Sequence, residues 1–134
     1  MIDNTITLAV DTANTSSTTD ELYTRFEESS NRSVYTGPTH DLSGLRDMLT
    51  ITRALPKKNG NFRGTGKSST KFTKDHEVEG VDTTTTLNVP GIIEVSTSFP
   101  LGMLGSERIH MRQKAIALLD SDNLIDRIQG QLEY

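Results

Sequence analysis

The chain has 134 residues, is 33% hydrophobic and 5% aromatic, and carries a net charge of −4 at pH 7. That length suits one domain with a core that needs no covalent staple. The absence of cysteine excludes disulfides and thiolate metal sites, and no apolar run approaches the roughly 18 residues of a membrane span. The N-terminus, Met1 to Thr5, lacks a basic region followed by an apolar core, so no signal peptide is expected. We expect a soluble protein made in a cytoplasm. The shortage of apolar residues favours an obligate oligomer, in which a subunit interface supplies missing core, over a monomer with a modest but sufficient core.

The first hundred residues read as strands. Ile6, Leu8 and Val10 alternate with polar or small neighbours, as in a half-buried strand. Asp11 to Asp20, rich in Thr, Ser and Asn, reads as a loop, and Glu21 to Glu27 resumes alternation through Leu22, Thr24 and Phe26. A short strand at Ser33–Thr36 ends at Gly37-Pro38. Leu45 to Leu55 is the next strand, with Leu49 and Ile51 on one face and Thr50 and Thr52 on the other; Pro56 stops it, because it has no amide hydrogen for the ladder. Lys57 to Gly66, with three glycines, reads as a flexible connection. Lys67 to Val78 is a strand poor in large apolar side chains, and Val81 to Pro90, with four successive threonines, reads as an exposed loop. The last strand, Ile92 to Pro100, puts Ile93, Val95, Thr97 and Phe99 on one face and Ile92, Glu94, Ser96 and Ser98 on the other.

Two helices follow. In Glu107 to Leu119, Ile109, Ile116 and Leu119 fall near one stripe, flanked by Met111, Ala115 and Leu118. Ser106 is the expected N-cap, and Glu107 suits the positive end of the helix dipole. The second helix, Ser121 to Gln129, presents Leu124, Ile125 and Ile128 and ends at Gly130. Strands first and helices last give an α+β layout, with helices on one face of an antiparallel sheet. No internal repeat or linker interrupts it.

Seven of the fourteen basic residues lie between Arg53 and Lys74, a window without an acid: Arg53, Lys57, Lys58, Arg63, Lys67, Lys71 and Lys74. One reading is a solvated face. The other is contact with a nucleic-acid backbone, favoured by the hydroxyls of Thr50, Thr52 and Thr73 beside Lys71. Aromatic stacking platforms are few, so backbone attraction should outweigh base readout.

Other chemistries are poorly supported. Gly64-Thr65-Gly66-Lys67-Ser68 resembles the end of a phosphate-binding loop, but Asn61 stands where the motif needs glycine, and no buried parallel strand precedes it. His40, His76 and His110 are scattered without carboxylates at ligand spacing, and in Asp75-His76-Glu77 the histidine points away from both acids, so no metal site is expected. No nucleophile–base pair can be assembled, so neither catalysis nor a cofactor is expected.

The end of the chain carries a resemblance. A strand (IIEVSTSFP), a helix (ERIHMRQKAIALL), a second helix (SDNLIDRIQ) and a closing Tyr134 are similar to the ending of the coat proteins of the small single-stranded RNA bacteriophages, the levivirus-like family. Motif-level similarity covers about Ile92–Tyr134, with weaker support at Leu49–Thr52. The resemblance implies an N-terminal β-hairpin (1–30), a five-stranded antiparallel sheet (31–100) and two C-terminal helices (105–130) in an intertwined dimer. Dimers would form an icosahedral shell, T=3 in the family, in the host cytoplasm, with the sheet facing packaged single-stranded RNA.

The same resemblance implies site residues. Thr50 and Thr52 take the place of the family's hydroxyl pair on the fourth strand. Lys71 and Thr73 take that of the next strand's pair, subject to its register, with Lys67 as a further cation. Glu94 falls where the family has Asn or Asp, and Ile92 where it has an aromatic. Those two departures bear on any translational-repressor role, since Ile92 cannot stack a base as Tyr does and Glu94 brings negative charge near phosphates. The loop Val81 to Gly91 matches the one that meets its copies around symmetry axes. Ile109, Ile116, Leu119, Leu124 and Ile128 would form the dimer interface. A dimeric RNA-binding regulator that never forms a shell is the alternative.

Overall fold

The structure is a computed structural model that describes residues 4–12, 15–41, 44–58, 60–61 and 63–121. Its elements are β1 (Thr5–Val10), β2 (Thr19–Glu28), β3 (Arg32–Thr36), β4 (Asp47–Ala54), β5 (Thr65–Glu79), β6 (Thr86–Pro100) and α1 (Gly105–Leu119). The strands lie side by side in chain order in one six-stranded sheet, and every pairing from β1 to β5 is antiparallel. The α+β class is as expected. The antiparallel sheet is as expected too, and only the strand count differs: β2 is hydrogen-bonded to β3, so the N-terminal hairpin continues into one sheet of six strands. Two compact units are present: Met1–Pro56 with Gly66–Ser98, and Lys57–Thr65 with Phe99–Tyr134.

In the first unit, register fixes which side chains share a face. Ile6 lies opposite Tyr23, Arg25 opposite Tyr35, Tyr35 opposite Leu49, and Leu49 opposite Phe72. Because successive side chains alternate, the core of Tyr23, Tyr35 and Leu49, with Ile6, Leu8, Ile51 and Phe72 against it, occupies one face. The Tyr23 and Phe72 rings meet edge to face with centroids 6.0 Å apart. In a flat sheet, strands three places apart would be separated by about 14 Å. The β1–β2 ribbon therefore curls back over the core face, and the register shift between Arg25 and Glu27 is a bulge that permits the bend. Ahead of this bulge the buried phase of β2 is the opposite of the expected one. Tyr23 is buried, while Leu22 and Phe26 are exposed.

Two polar clusters tie the strand ends. The buried Asp47 carboxylate accepts hydrogen bonds from the Thr39 hydroxyl (2.6 Å) and amide (3.3 Å), and the Asp47 amide donates to His40 Nδ1 (3.1 Å). Gly37 is required at this corner, since a Cβ there would lie 2.5 Å from Asp47 Oδ2. At the other cluster, Arg46 donates to Asp75 through Nε (2.9 Å), Nη2 (3.1 Å) and its amide (3.0 Å). Asp75 is thus a buried acceptor and not an ordinary surface residue.

The hydrogen bonds from Arg46 hold the Asp75 carboxyl below the usual carboxylate range. A depressed folded-state pKa contributes stability above the unfolded value of about 3.9 and loses it as pH falls through the lower folded value. Asp75→Asn is therefore expected to lower the urea midpoint at neutral pH. That deficit should shrink as the pH of the titration is taken below about 4.

Strand β6 begins at Thr86, so only the first half of the expected Val81–Pro90 loop is a loop. The turn there is closed by Asp82, whose carboxylate accepts from the Thr84 and Thr85 amides and the Thr85 hydroxyl. Pro90 is tolerated inside β6 because β6 is the sheet's last strand, where a missing amide hydrogen costs no ladder bond on the open side. Leu87, Val89, Ile92, Ile93 and Val95 along it are all exposed.

In the second unit, Gly64 has φ +96° and a Cβ would run into the Lys57 carbonyl, so the glycine makes the turn into β5. Helix α1 opens two residues earlier than expected. Leu104 is its N-cap, without a side-chain cap, and Ser106 lies inside the first turn with Glu107. No residue of α1 is buried; Ile109, Ile116 and Leu119 are 58%, 44% and 47% exposed. At its end the Ser121 hydroxyl donates to the Leu118 carbonyl at 2.7 Å. The expected second helix, with Leu124 and Ile128, lies outside the described residues. No described helix is long and apolar enough to cross a membrane.

Candidate nucleic-acid interface on the polar sheet face

Three rows of residues cross the face opposite the aromatic core. Arg32 lies opposite Thr52, and Thr52 opposite Ser69; Val34 lies opposite Thr50, and Thr50 opposite Lys71; Thr36 lies opposite Met48, and Met48 opposite Thr73. Val34 is buried beneath this face. The Ser69 hydroxyl donates to Glu94 Oε1 at 2.7 Å, which places Glu94 of β6 on the same side. Lys67, opposite Ala54, extends the face toward the start of β5. All six residues expected to contact RNA (Thr50, Thr52, Lys67, Lys71, Thr73 and Glu94) thus share one face, and the open question of register for Lys71 and Thr73 is resolved by their pairing with β4.

Arg32, Thr50, Thr52, Ser69, Lys71 and Glu94 line a depression of about 290 Å³. A neighbouring depression of about 440 Å³ shares Thr52 and Ser69 and adds Lys67 and Ser96 to its walls. Hydroxyls, amphipathic cations and one carboxylate around an open trough can meet phosphates, riboses and base edges. Among the described residues Glu94 makes no ion pair.

The basic run of the sequence does not form a single strip. Alternation puts Lys67 and Lys71 on the polar face and Arg53 and Lys74 on the opposite one, where Arg53 donates to the Ser30 carbonyl at 3.3 Å. Lys57, Lys58 and Arg63 belong to the β4–β5 connection. A phosphate-loop role for Lys67 fails on geometry: it sits inside a strand, whereas that loop needs its lysine at the start of a helix. His76 rests with its ring 3.2 Å from where a Gly91 Cβ would be, and no group of three metal-ligating side chains occurs among the described residues.

Arg32 and Ser69 were missed by sequence reasoning. Arg32 shares the phase of Val34 and Thr36 and precedes the strand's expected start by one residue. Ser69 shares the phase of Lys67 and Lys71.

No protein-family model matches the chain, and no curated protein matches its sequence. Solved structures do match. The virus-like particle of Beihai levi-like virus 32 superposes with a TM-score of 0.68 at 26% identity, over 82% of this chain and 88% of the other. The bacteriophage EMS014 coat protein superposes with a TM-score of 0.60 at 15% identity, over 89% of this chain and 74% of the other. The fold is that of a levi-like virus coat protein. The virus-like particle of Wenzhou levi-like virus 4 shares it at 20% identity, with a TM-score of 0.67 over 77% of this chain and 73% of the other. The match to levi-like virus particles and coat proteins supports a structural role for the chain in a capsid.

Proposed function

We propose that the chain is a capsid subunit that pairs with a second copy, assembles into a closed icosahedral shell in the host cytoplasm, and holds single-stranded RNA against the polar sheet face. The observation that carries the RNA contact is the convergence of Thr50, Thr52, Ser69, Lys71 and Arg32 around one trough, on a fold shared with levi-like virus particles.

Pairing is supported by what the lone chain leaves uncovered. Among the described residues the buried apolar ones are Tyr23, Val34, Tyr35 and Leu49, while Ile109, Ile116 and Leu119 of α1 and five apolar residues of β6 are exposed. A terminal strand of 15 residues with apolar flanks is a template for another strand. A second β6 running antiparallel to it would join two sheets into one. The α1 helix of each copy would then lie over the partner's sheet.

Electron microscopy of the protein expressed alone, with the 260/280 nm absorbance ratio of the same sample, tests the proposal. Closed particles that absorb as nucleoprotein are expected, and their diameter reads out whether the lattice is T=3. Soluble dimers alone would instead support the regulator reading. The double variant Lys67→Ala/Lys71→Ala should keep dimers but package less RNA. Its binding to single-stranded RNA should show a log–log salt slope smaller by about 1.4, since each lost phosphate contact removes about 0.7. Unchanged RNA content would mean that these lysines only solubilise the surface.

A further inference from the structure

Glu94 is a negative charge set into a face otherwise suited to phosphate. Its position is defined by Ser69, whose hydroxyl donates to Oε1; Lys71 and Arg32 line the same depression. A carboxylate accepts hydrogen bonds and donates none, and it repels phosphate. Its partner in a bound RNA must therefore be a donor, which on RNA means a base N–H or a ribose hydroxyl.

We propose that this depression selects an unpaired guanine, with Glu94 as the specificity-determining residue; the inference rests on the polar face being the RNA surface. Among the four bases only guanine offers two adjacent donors, N1–H and an N2 amino hydrogen, in the parallel arrangement that matches both oxygens of a carboxylate. On the same side of the base, guanine presents O6, an acceptor for a lysine ammonium. Lys71, on the strand between β4 and β6, meets O6 while Glu94 meets N1–H and N2–H. Arg32, across the depression, takes a flanking phosphate. Adenine and cytosine each bring a single amino group, and uracil a single imino hydrogen. For those bases one carboxylate oxygen is left facing an acceptor or water. The Ser69 bond fixes the orientation of Glu94 in advance, so the base does not have to order it.

The test uses the full chain freed of nucleic acid and labelled eight-nucleotide oligouridine strands with G, A, C or inosine at one central position, read by fluorescence anisotropy. Wild type is expected to bind the guanine strand roughly tenfold more tightly than the adenine or cytosine strand, within the range for one bidentate base contact. Inosine, which keeps O6 and N1–H but lacks the N2 amino group, should lose most of that gain. Glu94→Gln should erase the preference, bringing the guanine strand to the affinity of the adenine and cytosine strands. Equal binding of all four strands by wild type, or a guanine preference that survives Glu94→Gln, overturns the selectivity while leaving the RNA surface in place. If no strand binds and Lys67→Ala/Lys71→Ala packages RNA normally, the RNA surface itself is refuted along with it.

Discussion

Ile116→Asp is expected to abolish particles and leave no folded soluble subunit. Ile116 is 44% exposed in the single chain, and a polar substitution at such a position ordinarily changes a monomer's stability by no more than about 0.5 kcal/mol. In the proposed dimer the same side chain is interface core. Losing the burial of one isoleucine removes about 1.5–3 kcal/mol per subunit, so about 3–6 kcal/mol per dimer, before the cost of an unpaired buried charge is added. That is comparable with the whole stability of a small domain. His110→Asp is the control: at 100° per residue it falls off the arc of Ile109, Ile116 and Leu119. Size-exclusion chromatography and micrographs of both variants check the prediction. Normal particles from Ile116→Asp would place the interface elsewhere.

Tyr35→Ala is expected to cost about 3–5 kcal/mol, as for other large aromatic deletions from a packed core. Tyr35 is 0% exposed and clusters with Tyr23 and Leu49, with Ile6, Leu8, Ile51 and Phe72 packed against them. It holds the curled β1–β2 ribbon to the sheet, because Arg25 of β2 and Leu49 of β4 flank it on either side. Among the described residues the buried apolar side chains are Tyr23, Val34, Tyr35 and Leu49, so no second cluster of described residues can take over. A urea titration of the variant should show a large loss of midpoint.

The strands and their faces were legible where alternation was clean. Thr50 and Thr52 oppose Leu49 and Ile51 in sequence, and the sheet keeps them so. Alternation misled in β2, where Leu22 and Phe26 share a phase with Thr24 but the opposite phase is the inward one: Tyr23 is the core residue, and Leu22 and Phe26 are exposed. It also misled in the basic run, where nearness in sequence was read as nearness in space. A two-residue period sends Lys71 and Lys74 to opposite faces.

The start of β6 was hidden because four threonines, a proline and a glycine read as loop, yet threonine favours extended backbone and proline is permitted on an edge strand. The helix start was hidden too, since Ser106 has the chemistry of a cap, whereas Leu104 takes the cap conformation without any side-chain bond. The site was legible in its β4 and β5 residues and incomplete at Arg32 and Ser69. Their roles depend on cross-strand register, which the sequence does not contain.

The dependence of the unfolding midpoint on protein concentration tests most directly whether one copy of this chain is only half of a folding unit. For an obligate dimer, each tenfold rise in concentration adds about 1.4 kcal/mol of apparent stability, so the urea midpoint should climb steadily across the micromolar range. A midpoint that stays constant, with a cooperative transition at the lowest concentration, would mean that a single subunit completes its own core.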